Sequence, residues 1–158
     1  MDMSTSGLDL TKISEGLRTT AYPDPGTGGE PWTIGYGHTS GTYPGETCTE
    51  AQATVWLRED IGWAENVIRN CPFAGQLKQQ QFDALVDFVF NVGTGQPGGR
   101  DGFVWLRDGN HSTIYRKLVG GDQVSAANEF PKWDLPPLPG IVTRRRRERQ
   151  LFLTGIWT

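Results

Sequence analysis

The chain has 158 residues, a mass of 17.5 kDa, a formal net charge of −3 and a pI near 5.3. That length fits one domain, and the acidic balance argues against general nucleic-acid binding and offers no overall basic face to steer an anionic polymer. A hydrophobic share of 36% with six Trp and seven Phe supplies a core, and the 21 glycines gather at 26–45 and 93–121, which reads as loops and not as a disordered composition.

The N-terminal residues 1–11 are polar and lack the apolar core of a signal peptide, and no apolar run approaches the ~20 residues of a membrane span. The expectation is a chain that starts in the cytoplasm. Residues 8–19 read as a short helix with Leu8, Ile13 and Leu17 apolar and with Thr11 or Ser14 as partial caps. Glu15 falls near its C-terminal end. A helix C-terminus is negative and disfavours an ionised carboxylate, the direction a general acid requires.

Asp24 follows nine residues on, between two prolines in Tyr22-Pro-Asp24-Pro-Gly. Each proline fixes φ and restricts its predecessor, so this carboxylate sits in a stiff loop. Trp32-Thr33-Ile-Gly-Tyr-Gly-His38 then mixes strand formers with two glycines, the mark of a bend or a close backbone approach. Residues 21–43 read as two or three short strands. Two carboxylates in different surroundings are what glycoside hydrolysis needs, one protonated to donate and one ionised to activate water. With 18 acidic residues in the chain, spacing alone leaves solvated surface charge as the competing reading of Glu15 and Asp24.

Thr49-Glu-Ala-Gln52 is an approximate capping box for one long helix over 50–69, with apolar residues recurring at three and four. Cys48 and Cys71 flank it. A straight helix would hold its ends ~30 Å apart, so free thiols are expected, an expectation that a break in the helix would reverse. Pro72 ends this element. Residues 76–91 read as a central buried helix capped by Gly93. Residues 94–111 read as a surface excursion with a short element at 103–107. In it Trp105 either extends a sugar-binding platform or anchors the loop. Ser112-Thr113 restarts a helix, 120–133 reads as another, and a proline-rich turn at 134–139 precedes a closing helix over 140–152 with the run Arg144 to Arg147. Taken by itself, that run reads as a solvated basic face or a patch for an anionic polymer. No His, Cys and carboxylate cluster has metal-ligand spacing, so neither a metal nor a cofactor is expected.

The stretch from Glu15 to Thr39 resembles the active-site signature of phage-type lysozymes, the endolysins of glycoside hydrolase family 24. Glu15, Asp24 and the Thr33 that opens Thr33-Ile-Gly-Tyr-Gly-His38 match residue by residue. Eight residues separate Asp24 from Thr33. The family usually has about five, a cheap lengthening because loop entropy grows slowly with length. The helices at 76–91 and 140–152 carry the resemblance onward. It implies an α+β, mainly helical fold as a single lysozyme-like domain over 1–158. A small N-terminal β-hairpin lobe at about 14–48 would be followed by a connecting helix at about 50–69. A larger helical lobe at about 70–158 would include the N-terminal helix.

The resemblance also implies roles. Glu15 is the candidate general acid, and Asp24 and Thr33 are the candidates for positioning water. Asn91, Phe90 and Tyr22 are candidate substrate contacts, Asn91 being equally readable as a helix cap. Arg144 is expected to point back at Glu15. His38 is expected to pair with Asp60, with a catalytic-base role for His38 as the lesser reading. The implied activity is a muramidase cutting the β-1,4 bond between N-acetylmuramic acid and N-acetylglucosamine in peptidoglycan. The chain would be a monomer, held in the host cytoplasm until a separate holin releases it to the periplasm and cell wall. The rival readings are a lytic transglycosylase, a related hydrolase of chitin-type polymers, and a wall-binding or structural module on a lysozyme scaffold.

Overall fold

The computed structural model describes all 158 residues. The chain forms two compact units, one of residues 11–62 and one of residues 1–10 with 63–158. Nine segments carry the regular structure: α1 (Thr5–Glu15), β1 (Arg18–Tyr22), β2 (Thr33–Gly35), α2 (Glu50–Asp60), α3 (Gly62–Arg69), α4 (Gln79–Val92), α5 (Thr113–Val119), α6 (Gln123–Ala127) and α7 (Pro139–Thr154). The fold is mainly helical with one two-stranded antiparallel sheet.

In the 11–62 unit, β1 and β2 pair with Arg18 opposite Gly35 and Tyr22 opposite Thr33. The register slips between those pairs, so β1 carries extra residues and bends, as at a bulge. Its other edge is closed by residues 46–48, through Ala21 N–H to Glu46 O and Cys48 N–H to Thr19 O, both 2.9 Å. Past β2 the chain turns back on itself. Ile34 and His38 exchange both backbone hydrogen bonds at 2.9 Å, with Gly35 at φ +65° between them. A Cβ at Gly35 would lie 3.0 Å from the Ala53 Cβ on α2, so the glycine serves both the turn and the close packing.

Several expected boundaries move. The first helix runs from Thr5, not from residue 8. Gly7 N–H donates to Ser4 Oγ at 3.3 Å, which makes Ser4 the capping residue, while Thr11 and Ser14 lie inside the helix. Of the apolar residues that suggested it, Leu8 is buried but Ile13 and Leu17 are exposed. The helix ends at Glu15 because Gly16 takes φ +76°. The long helix over 50–69 is two helices, α2 and α3, broken at Ile61. Gly62 is a weak helix former there, and Asp60 turns its side chain to His38. The cap itself is as expected, Thr49 Oγ1 accepting from Gln52 N–H at 3.2 Å. Cys48 and Cys71 are both free, and burial pushes the Cys71 thiol up to about 11, which leaves it unreactive.

In the other unit α4 is the central element. Phe82, Leu85, Val86, Phe88 and Val89 are all buried, and Gly93 caps it at φ +78°. Phe88 makes edge contacts with Phe103, Phe130 and Trp133 at 5.1–6.2 Å between centroids. Phe103 explains the 94–111 excursion. It is fully buried, and Phe103 N–H and Val104 N–H donate at 2.9 Å to Gly93 O and Thr94 O. The expected element at 103–107 is an irregular hairpin held by the Trp105–His111 bridge, and Trp105 stacks on His111 at 4.0 Å. The helix expected over 120–133 is only α6 and a 3-10 turn at Phe130–Trp133, because Pro131 and the glycines of the segment shorten it. Ser112 caps α5 through Tyr115 N–H at 3.2 Å, as expected, and Pro139 opens α7 at its first turn.

Candidate active site

The three candidate catalytic residues all lie in the 11–62 unit. Glu15 is the last residue of α1, at its negative end, and is exposed. Asp24 is half-buried just past β1, and its loop closes on the aspartate itself. Asp24 Oδ1 accepts from Gly26 N–H at 2.9 Å and from Thr27 N–H at 3.0 Å. Its backbone N–H donates to Gly29 O at 2.9 Å, and its own carbonyl accepts from Gly28 N–H at 2.8 Å. The lengthened Asp24–Thr33 connection is therefore folded locally by the carboxylate it carries, an Asx turn built on Pro25, Gly26, Gly28 and Gly29. Oδ1 thus holds two amides, and no amide of the turn bonds Oδ2.

Thr33 opens β2, half-buried and directly opposite Tyr22, two residues before Asp24. The sheet therefore carries Asp24 and Thr33 at the same end. Tyr22 is 38% exposed, with the Arg18 guanidinium 5.7 Å from its ring centroid.

His38 is buried and flat against Trp56, ring centroids 4.9 Å apart and planes within 8°. Its Nδ1 lies 2.8 Å from Asp60 Oδ2. That contact ties the hairpin to the end of α2 and encloses the ring, a structural setting.

Phe90, Asn91 and Arg144 belong to the other unit. Phe90 packs against Trp63 at 6.4 Å. Asn91 is exposed on the last turn of α4 and does not cap it, since Gly93 does. Its Oδ1 accepts from Arg145 Nη2. Beside it opens a cavity of about 560 Å³ with Trp133, Leu138 and Ile141 on its apolar wall and Lys132 and Arg145 among its polar groups. Arg144 and Arg145 are not part of a solvated basic face, being 4% and 1% exposed. Arg144 makes a two-pronged contact with Asp87, Nε to Oδ2 at 3.0 Å and Nη2 to Oδ1 at 2.8 Å. Arg145 Nη1 donates to Glu148 Oε1 at 2.5 Å. Burial pushes the Glu148 carboxyl up to about 8, with Arg145 opposing and Asp87 adding to the rise. Sequence reasoning missed Arg145, Glu148, Lys132 and Trp133. The spacing of Arg145 and Glu148 at i and i+3 was the available signal for that pair.

Comparison with known proteins gives a consistent answer. The phage lysozyme family profile matches residues 12–148. An endolysin of Acyrthosiphon pisum secondary endosymbiont phage 1 is 36% identical over 159 residues, covering 96% of this chain and 98% of that protein. An endolysin of Bacillus phage B103 is 39% identical over 98% of this chain, which spans only 55% of that longer protein. Among solved structures, a P22 lysozyme mutant superposes with a TM-score of 0.76 at 32% identity, covering 98% of this chain and 99% of its own.

Proposed function

The chain belongs to the phage lysozyme family and is an endolysin with lysozyme activity, and from that premise we propose that Glu15, Asp24 and Thr33 carry the reaction. Glu15 donates its proton to the glycosidic oxygen as the bond to the leaving sugar breaks. Asp24 Oδ2 and Thr33 Oγ1 hold a water on the opposite face of the ring. The water attacks the anomeric carbon as Asp24 takes its proton, so the configuration inverts. Inversion calls for the two carboxyl groups to stand ~6.5–9.5 Å apart, leaving room for that water. The bond cut is the β-1,4 link between N-acetylmuramic acid and N-acetylglucosamine. Tyr22, Phe90 and Asn91 contact the glycan.

The observation that carries this reading is the Asp24 turn. Two backbone amides fix Oδ1 while the sheet brings Thr33 opposite Tyr22 beside it. A carboxylate fixed by backbone amides and accompanied by a hydroxyl suits water-holding better than a solvated surface charge does. The chain has no helix long and apolar enough to cross a membrane. Peptidoglycan is reached, on this reading, from the host cytoplasm after a separate holin opens the membrane, and the enzyme acts as a monomer.

The test is digestion of purified peptidoglycan by the parent, Glu15→Gln and Asp24→Asn, with mass spectrometry of the fragments. Hydrolysed, reducing ends from the parent and loss of release in both variants support the mechanism. Anhydro-sugar ends, or an active Glu15→Gln, overturn it.

A further inference from the structure

Arg145 is a cation buried at the edge of the cavity beside Asn91, and each of its nitrogens has a partner. Nη1 donates to Glu148 Oε1 at 2.5 Å, Nε to Trp133 O at 3.2 Å and Nη2 to Asn91 Oδ1. The Phe88 ring lies beneath it, 4.8 Å from the guanidinium carbon. Glu148 is itself fully buried, and Arg144 Nε stands 3.6 Å from the same Oε1. A planar fork held at three corners and over an aromatic face is fixed in orientation by those contacts.

This has a consequence for Asn91. A guanidinium has only donors, so the Asn91 atom facing it is the oxygen. The amide is thereby oriented, and its Nδ2 has no hydrogen-bond partner within the chain although Asn91 lines the cavity. The cavity is thus offered a donor and not an acceptor. We propose that Arg145, locked by Glu148, is a positioning residue that fixes the Asn91 amide so that its N–H groups read an amide carbonyl of the substrate. This rests on Asn91 contacting substrate, as proposed above. Two carbonyl sources share that chemistry, the acetamido group of the sugars and the peptide stems.

The test measures KM and kcat on solubilised peptidoglycan fragments and on peptide-free N-acetylated glycan chains. Asn91→Asp keeps an acceptor for Arg145 and removes the donor. Arg145→Lys keeps the charge but cannot bridge three partners at once. Both should raise KM about three- to tenfold, the worth of one hydrogen bond, with kcat little changed. Combining them should raise KM no further, although Arg145→Lys also lowers the melting temperature. Glu148→Gln keeps the accepting oxygen and should leave KM near the parent value, whereas Glu148→Leu should raise it. The Gln and Leu pair carries the test if Arg145→Lys does not fold. An effect on both substrates assigns the carbonyl to the sugar, and one confined to fragments with stems assigns it to the peptide. If Asn91→Asp leaves KM unchanged, the contact itself is wrong. If Asn91→Asp raises KM while Arg145→Lys does not, or if their effects multiply, the contact stands and the positioning role is overturned.

Discussion

Asp24 and Asp87 are held in opposite ways. Asp24 is caged by the backbone of its own turn, its acceptors and donors lying between Asp24 and Gly29. Asp87 is held by a side chain from another helix, Arg144 on α7, 57 residues further along. The first carboxylate has one oxygen held by amides and is half-buried, and the second has both oxygens paired and is fully buried. A locally caged group can be changed without touching a core. A buried cross-helix pair cannot, because either partner alone is an uncompensated charge. On the proposed mechanism, chemistry and stability fall to different carboxylates, and substitutions should separate them.

The largest separation is expected from Asp24→Asn. The amide still offers Oδ1 to Gly26 and Thr27, so the turn survives and unfolding free energy should move by no more than about 0.5 kcal/mol. Turnover should fall about 10²–10⁴-fold with the loss of the base. Peptidoglycan release and a denaturant curve, measured on one preparation, check both halves. A variant that loses stability in step with activity would erase the contrast with Asp87.

Asp87→Ala is the converse. It removes the two-pronged partner of a guanidinium that is 4% exposed and stands 3.6 Å from Glu148 Oε1. A cost of about 3–5 kcal/mol in urea unfolding is expected. A loss under about 1 kcal/mol would mean that the cluster relaxes and does not brace α4 against α7.

Gly35→Ala is intermediate, with about 1–2 kcal/mol lost. The residue sits at φ +65°, and its new Cβ would meet Ala53 at 3.0 Å. Thermal melting checks this. A rise in melting temperature, from reduced freedom of the unfolded chain, would show that the turn and α2 can move apart at little cost.

These sites differ in how far sequence could find them. The Asp24 turn lies within a few residues, so its prolines and glycines announced it directly. Thr49 and Gly93 were legible as caps for the same reason. The break at Ile61 was not, because the apolar period of the 50–69 segment continues across it while the interruption involves Asp60, whose partner His38 lies on the hairpin. The arginine run misled because charge composition alone favours solvent, and the partner that buries Arg144 comes from 57 residues away. Phe103 was half legible, a large apolar residue in a glycine-rich loop whose anchoring role depends on Phe73 and Phe88 packing against it.

The last effect is a slope and not a drop, and it tests the buried cluster without breaking it. Burial holds the Glu148 carboxyl at about 8, above its ordinary value of 4.5, against the opposing guanidinium groups of Arg145 and Arg144. Asp87 reinforces the rise. A carboxyl raised in this way binds its proton in the folded chain where the unfolded chain has already released it. Its contribution to stability is fully present below about 4.5 and is lost as pH rises through about 8. Glu148→Gln has no proton to lose there. The stability of the variant relative to the parent should therefore climb between those two values and level off above them. Paired denaturant curves at pH 5, 6, 7, 8 and 9 would measure the climb. Parallel profiles would mean that Arg145 and Arg144 fully offset the burial, leaving Glu148 ionised in the folded chain and the cluster of Arg144, Arg145, Asp87 and Glu148 neutral overall.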